Sequence, residues 1–239
     1  MGLLKGLVTP QASTAKRTAA GDPELQRNWH KNVTKVYNDM LQHNSKLVGA
    51  TLANKLMVYL VFNLDEECLL ATGKTVKVVG SGSRTKHENQ NGTSRLSISL
   101  VRCGCAAAKD TSGPTFFLIK GSERKPEYSD EFLENNGVAK GSSIIMTENA
   151  YLTDKAWSEI TKKLTTGIRA KVKNIAVQHG VDDDIADQLQ VVLALDGFKS
   201  HTNNYQQLID LHKFDITVLC EERDSSHVNQ VFDKFVVSV

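Results

Sequence analysis

The sequence is short of the features that mark secreted scaffolds, membrane proteins and strongly charged tails. Its 239 residues include four cysteines, Cys68, Cys103, Cys105 and Cys220. That is too few for a disulfide framework in a chain this long and fits a reducing compartment. The longest apolar run, Leu56 to Phe62, is far shorter than a bilayer requires, so no membrane partner is expected. Charge of one sign is also missing. The net charge is +2, so no whole-molecule field attracts nucleic acid, and such a partner has to be argued from local patches. The opening Met1-Gly2-Leu3-Leu4-Lys5-Gly6 lacks the Ser or Thr of a myristoylation signal. The sequons at Asn32 and Asn91 would matter only in a secreted protein. These features together give an intracellular reading.

What remains is ordinary globular material. Hydrophobic residues make up 40% and charged residues 23%, enough for one α/β domain with a real core. Residues 1–21 lack a period and read as a flexible arm, and 22–239 read as the folded domain. Asp22-Pro23 resembles an N-cap with proline in the first turn. Trp29, Val33, Val36, Tyr37 and Met40 then recur at helical spacing, which predicts one helix to about His43 and no second one before the next element. Leu56 to Phe62 reads as a strand buried on both faces, with Asp65 at its carboxyl end. A polar excursion follows over 80–95. Strands are expected at about 95–107 and 115–120. In the first of them, alternation flips at Val101, as a bulge or burial on both faces would cause. Thr153-Asp154 opens a helix carrying Trp157, Ile160 and Leu164. Val191 to Leu195 is a second all-apolar strand, ending in Asp196. A helix around 203–213, a strand at 216–220 and a last helix capped by Ser225 or Ser226 complete an α/β or α+β layered domain.

Asp65 and Asp196 therefore both sit at strand ends, where α/β sheets form ligand crevices. A carboxylate buried there without a partner is costly, and a divalent cation is one way to compensate it. Asp233 falls on the polar side of the last helix, with Ser226 and Gln230, while Val228, Val231 and Phe232 form its apolar stripe. Three carboxylates around one crevice suit phosphodiester chemistry, in which two hard cations serve the attacking and leaving oxygens. Taken singly, a strand-end aspartate is more often a turn or cap residue, and a lone aspartate on a surface helix is almost always solvated.

The motifs around these aspartates resemble those of the pogo-like branch of the mariner-like DDE transposases and endonucleases. Asn63-Leu64-Asp65-Glu66 resembles the first-strand Asn-x-Asp-Glu signature. Leu193 to His201 resembles the second-strand motif, and Asp224 to Asp233 the third. Lys120-Gly121 is similar to a Lys-Gly that ends an early strand there. The 36 residues between Asp196 and Asp233 match the family's usual gap. The resemblance implies an RNase H-like mixed five-stranded sheet with helices on both faces and its first three strands antiparallel. It implies Asp65, Asp196 and Asp233 as catalytic residues binding two Mg²⁺ or Mn²⁺ ions. Asn63, Glu66, Gly197, His201, Ser226, His227 and Gln230 would support them. It further implies DNA as partner, nuclear location, no small-molecule substrate, and room for a homo-oligomer.

Departures accompany the match. Glu67-Cys68, Phe198, Val231 and Glu221-Glu222-Arg223 replace usual family residues, and the 130 residues between Asp65 and Asp196 exceed the usual number. The 55 residues ahead of the first strand fall short of a tandem helix-turn-helix module, and the chain stops six residues after Asp233. A catalytic domain or fragment is expected, and the alternative is a domesticated or decayed relative that binds nucleic acid or protein without catalysis. Lys162, Lys163, Arg169, Lys171 and Lys173 form the densest basic stretch, either a phosphate-neutralising surface or a solvated helix face. Cys103-Gly104-Cys105 has poor spacing for zinc and puts two thiols on one strand face, where they pack as small apolar groups.

Overall fold

A computed structural model describes residues 23–70, 97–105, 112–195 and 205–220. Helix α1 (Pro23–Val48) presents Trp29, Val33, Val36, Tyr37 and Met40 to the core, the face its periodicity predicts. It runs one turn beyond the expected end and is followed at once by a helix the sequence reading omitted, α2 (Ala50–Met57). The only residue between them is Gly49, at φ 82°, a left-handed conformation that glycine adopts without Cβ strain. Ala53, Leu56 and Leu60 are buried at helical, not alternating, spacing. The strand expected over 56–62 therefore begins only at Val61 and continues past its expected end.

That strand, β1 (Val61–Leu70), is the hinge of the topology. On one side it pairs antiparallel with β2 (Ser97–Cys105), which pairs antiparallel with β3 (Ser112–Lys120). On the other it pairs in parallel with β5 (Val191–Leu195), and β5 in parallel with β6 (Ile216–Cys220). Three antiparallel strands flanked by two parallel ones is the RNase H-like arrangement. The expected count of five needs one addition. β4 (Ser143–Thr147) pairs in parallel with β3, giving six strands in the order β4-β3-β2-β1-β5-β6. The extra strand comes from the long insert between the first two motifs, which also contributes α3 (Asp130–Asn135) and α5 (Asp183–Ala186). β3 ends at Lys120, as the Lys-Gly motif implied, and Gly121 N–H donates to Thr147 O at 2.9 Å.

All five residues of β5 are buried. Successive strand side chains point to opposite faces, so the sheet is covered on both sides at this strand. Leu100 and Val101 are likewise both buried, and the β2–β3 register shifts between Arg102 and Gly104. Burial on both faces and an irregularity thus coexist around the phase flip. Helix α4 (Asp154–Gln178) is capped by Thr153, whose Oγ1 accepts from Ala156 N–H. It packs onto β3 and β4 through a close approach at Gly167. An ideal Cβ there would lie 2.5 Å from Pro114 Cγ and 2.8 Å from Lys140 O. Helix α6 (Tyr205–His212) precedes β6. Among the described residues no helix is long and apolar enough to cross a membrane.

Candidate metal centre

The site is anchored by β1. Its parallel register with β5 runs Val61↔Val192, Phe62↔Leu193, Asn63↔Ala194 and Leu64↔Leu195. Asp65 is the next residue, and β1 continues beyond it paired with β2 as far as Leu70. Asp65 is therefore not at the end of its strand, as the sequence reading has it. It stands within β1, one residue past the last pairing with β5. Its side chain is half-buried, and its Oδ1 accepts from Glu66 N–H at 2.7 Å.

Alternation puts Val61, Asn63 and Asp65 on one face of β1 and Phe62, Leu64 and Glu66 on the other. Asn63, a supporting candidate, is buried on the Asp65 face, whereas Glu66, also half-buried, belongs to the opposite face. Arg102 lies directly across from Asp65 in the antiparallel register and is half-buried. Directly opposed residues of a β-pair share a face, so a guanidinium and the first candidate ligand are neighbours. Sequence reasoning missed Arg102, and the signal that could have found it is cross-strand register, which a single strand does not disclose.

Asp196, Gly197, His201, Ser226, His227, Gln230 and Asp233 lie outside the described residues, as do the polar excursion and the last helix. Among the described residues no three His, Cys, Asp or Glu side chains gather as a metal set. Oxygen is the donor chemistry at Asp65, which suits a hard cation. The cysteines of β2 do not offer sulfur. Cys103 and Cys105 are buried in the core, and burial pushes the Cys103 thiol well above its ordinary range, disfavouring the thiolate that metal binding needs.

The basic stretch does not form one surface. At about 100° per residue, Lys162 and Lys171 point to opposite sides of α4. Lys163 is tied to Asp130 and donates to Ser143 Oγ at 2.9 Å. Half-buried Arg169 donates to Leu189 O at 2.7 Å and to Phe214 O. Lys173 pairs with Asp183 at 3.0 Å and Asp187 at 3.3 Å. Three of the five cations thus bind the protein itself. Lys162 is exposed and Lys171 half-buried.

No protein-family model matches the chain, and no curated protein matches it. Among solved structures it is similar to a pre-cleavage Mos1 transpososome, at 9% identity and TM-score 0.43, over 93% of this chain and 48% of that one. It is also similar to a Mos1 mariner paired end complex with Mn, at 11% identity and TM-score 0.40, over 95% and 49%. A third is a Mos1 transposase paired-end complex with left transposon end, at 9% identity and TM-score 0.38, over 98% and 59%. The chain spans about half the length of the first two and 59% of the third. Likeness at this level identifies no side chain.

Proposed function

We propose that this chain is a metal-dependent DNA phosphodiester-cleaving or strand-transfer domain derived from a DNA transposon. Asp65, Asp196 and Asp233 would be its metal ligands. The observation that carries the reading is the β1–β5 register: Leu64 opposes Leu195, and the next residue in each strand's sequence is an aspartate. Adjacent strands lie about 4.8 Å apart, and consecutive Cα atoms about 3.8 Å apart. Two carboxylates that each follow a paired position by one residue would come within reach of a shared ion if the register ran on. Asp233 joins them through the motif resemblance. Mg²⁺ or Mn²⁺ bound there would activate the attacking oxygen and stabilise the leaving one. The protein's own part is to hold the carboxylates. The Glu66 N–H that reaches Asp65 Oδ1 restricts the motion of the first of them.

Thermal melting with and without Mg²⁺ or Mn²⁺ tests the site, alongside nicking of supercoiled plasmid. Metal at a hundred times its dissociation constant stabilises the native state by about 2.7 kcal/mol, which for a chain of this size is a rise of roughly 5–10 °C. Asp65→Asn and Asp196→Asn should abolish both the rise and any nicking. A parent that binds DNA but neither shifts with metal nor nicks would instead be a domesticated, non-catalytic relative. The departures at Glu67-Cys68, Phe198 and Val231 favour that second reading.

A further inference from the structure

The outer face of α1 carries a feature that neither the motifs nor the metal site use. Arg27, Lys31 and Lys35 recur every four residues, Asp39 ends the same row, and His30, Thr34 and Asn38 run beside it; all seven are exposed and line one open groove. The opposite face carries Trp29, Val36 and Met40 into the core. Buried Asn44 fastens the helix to the start of β5, donating to Gln190 O at 3.0 Å and accepting from Gln190 N–H at 2.8 Å. The cationic face is thus held on the same framework as β5. Among the described residues, no ion pair involves Arg27, Lys31 or Lys35. The three free cations differ in this from Lys163 and Lys173 on α4, which are engaged internally.

Resting on the proposed function, we infer that this stripe is the surface that grips the DNA phosphate backbone. Four residues of helix advance about 6 Å, so the three cations form a row about 12 Å long. A row of that length matches an extended polyanion, which presents a charge every 3.4 Å of axis per strand, better than one compact anion. Thr34 and Asn38 add neutral donors of the kind that position a protein on phosphates. No Phe, Tyr or Trp stands among them to offer a stacking platform for unpaired bases.

The test is duplex binding by the full chain across about 50–200 mM salt, for the parent and for the triple variant Arg27→Gln, Lys31→Gln, Lys35→Gln. Glutamine keeps helix propensity, and equal melting temperatures verify the fold. Removing three phosphate contacts should flatten the log K against log salt slope by about 2.7. The parent's advantage should then fall about 40-fold across that range. A triple variant with the parent's slope overturns the inference while leaving the metal reading intact. A parent that fails to bind duplex overturns both. Binding of anionic phosphatidylserine vesicles that depends on the stripe, without stripe-dependent duplex binding, would make the partner a membrane surface and also overturn it.

Discussion

Asp130→Asn removes the one negative charge on which Arg124, Lys163 and Ser143 converge. Asp130 Oδ1 accepts from Arg124 Nη2 at 2.6 Å and from Ser143 Oγ at 2.8 Å, while Lys163 reaches Oδ2. Burial works to raise this carboxyl, but hydrogen bonds from Lys163, Arg124 and Ser143 outweigh it and bring it from 3.8 down to about 2. Such a shift would be worth roughly 2.5 kcal/mol if undiluted. With 41% of the side chain exposed, solvent screening reduces that to about 1 kcal/mol. The amide also leaves two cations facing each other around Ser143, so the total loss at neutral pH should be about 1–2 kcal/mol. Urea unfolding of parent and variant measures it as a lower midpoint at unchanged slope. Because the folded pKa lies below the unfolded one, the carboxylate's contribution is whole above about pH 4 and fades as pH falls toward 2. The parent–variant difference should be flat from pH 5 to 8 and shrink over that acid window. Equal midpoints at pH 7, or a difference that persists unchanged to pH 2, would refute the assigned role.

Two further substitutions test the packing that carries the site. Gly167→Ala puts a methyl against Pro114 Cγ and Lys140 O. It should cost about 1–3 kcal/mol despite alanine's better helix propensity, and an unchanged or higher melting temperature would show that α4 does not approach β3 so closely. Asn44→Ala strands both backbone groups of Gln190 and should cost about 1–3 kcal/mol, read as a melting shift that Asn54→Ala, on exposed surface, does not produce.

The sequence was most legible where one physical signal dominated. Val191 to Leu195 reads as an all-apolar strand and is one, buried throughout, and Thr153-Asp154 announced α4 through its cap. Leu56 to Phe62 was misleading because a continuous apolar run has no phase. The helical spacing of Ala53, Leu56 and Leu60 shows only once burial is known. Gly49, just past Lys46 in the last turn of α1, was the available stop signal. The other omissions also had signals: Ser129 before Asp130-Glu131 for α3, and Ile144-Ile145-Met146 after Gly141 for β4. Partners across space were illegible in principle. Nothing in the sequence near Lys163 or Lys173 says that Asp130, Asp183 and Asp187 will meet them. Nor does it say that Arg102 will stand beside Asp65.

The β1–β5 pairing also bears on how the molecule assembles. Between β1 and β2 lie 26 residues, but Leu64 and Leu195 are separated by about 130 residues, a loop whose closure entropy is of order 4 kcal/mol. The residues between them include β2, β3, β4 and α4. A folding intermediate could therefore hold the antiparallel half of the sheet and still lack the neighbouring strand that precedes Asp196. Metal added early in refolding should then leave the first phase unchanged and act only on the last, when the two ends of that loop are brought together.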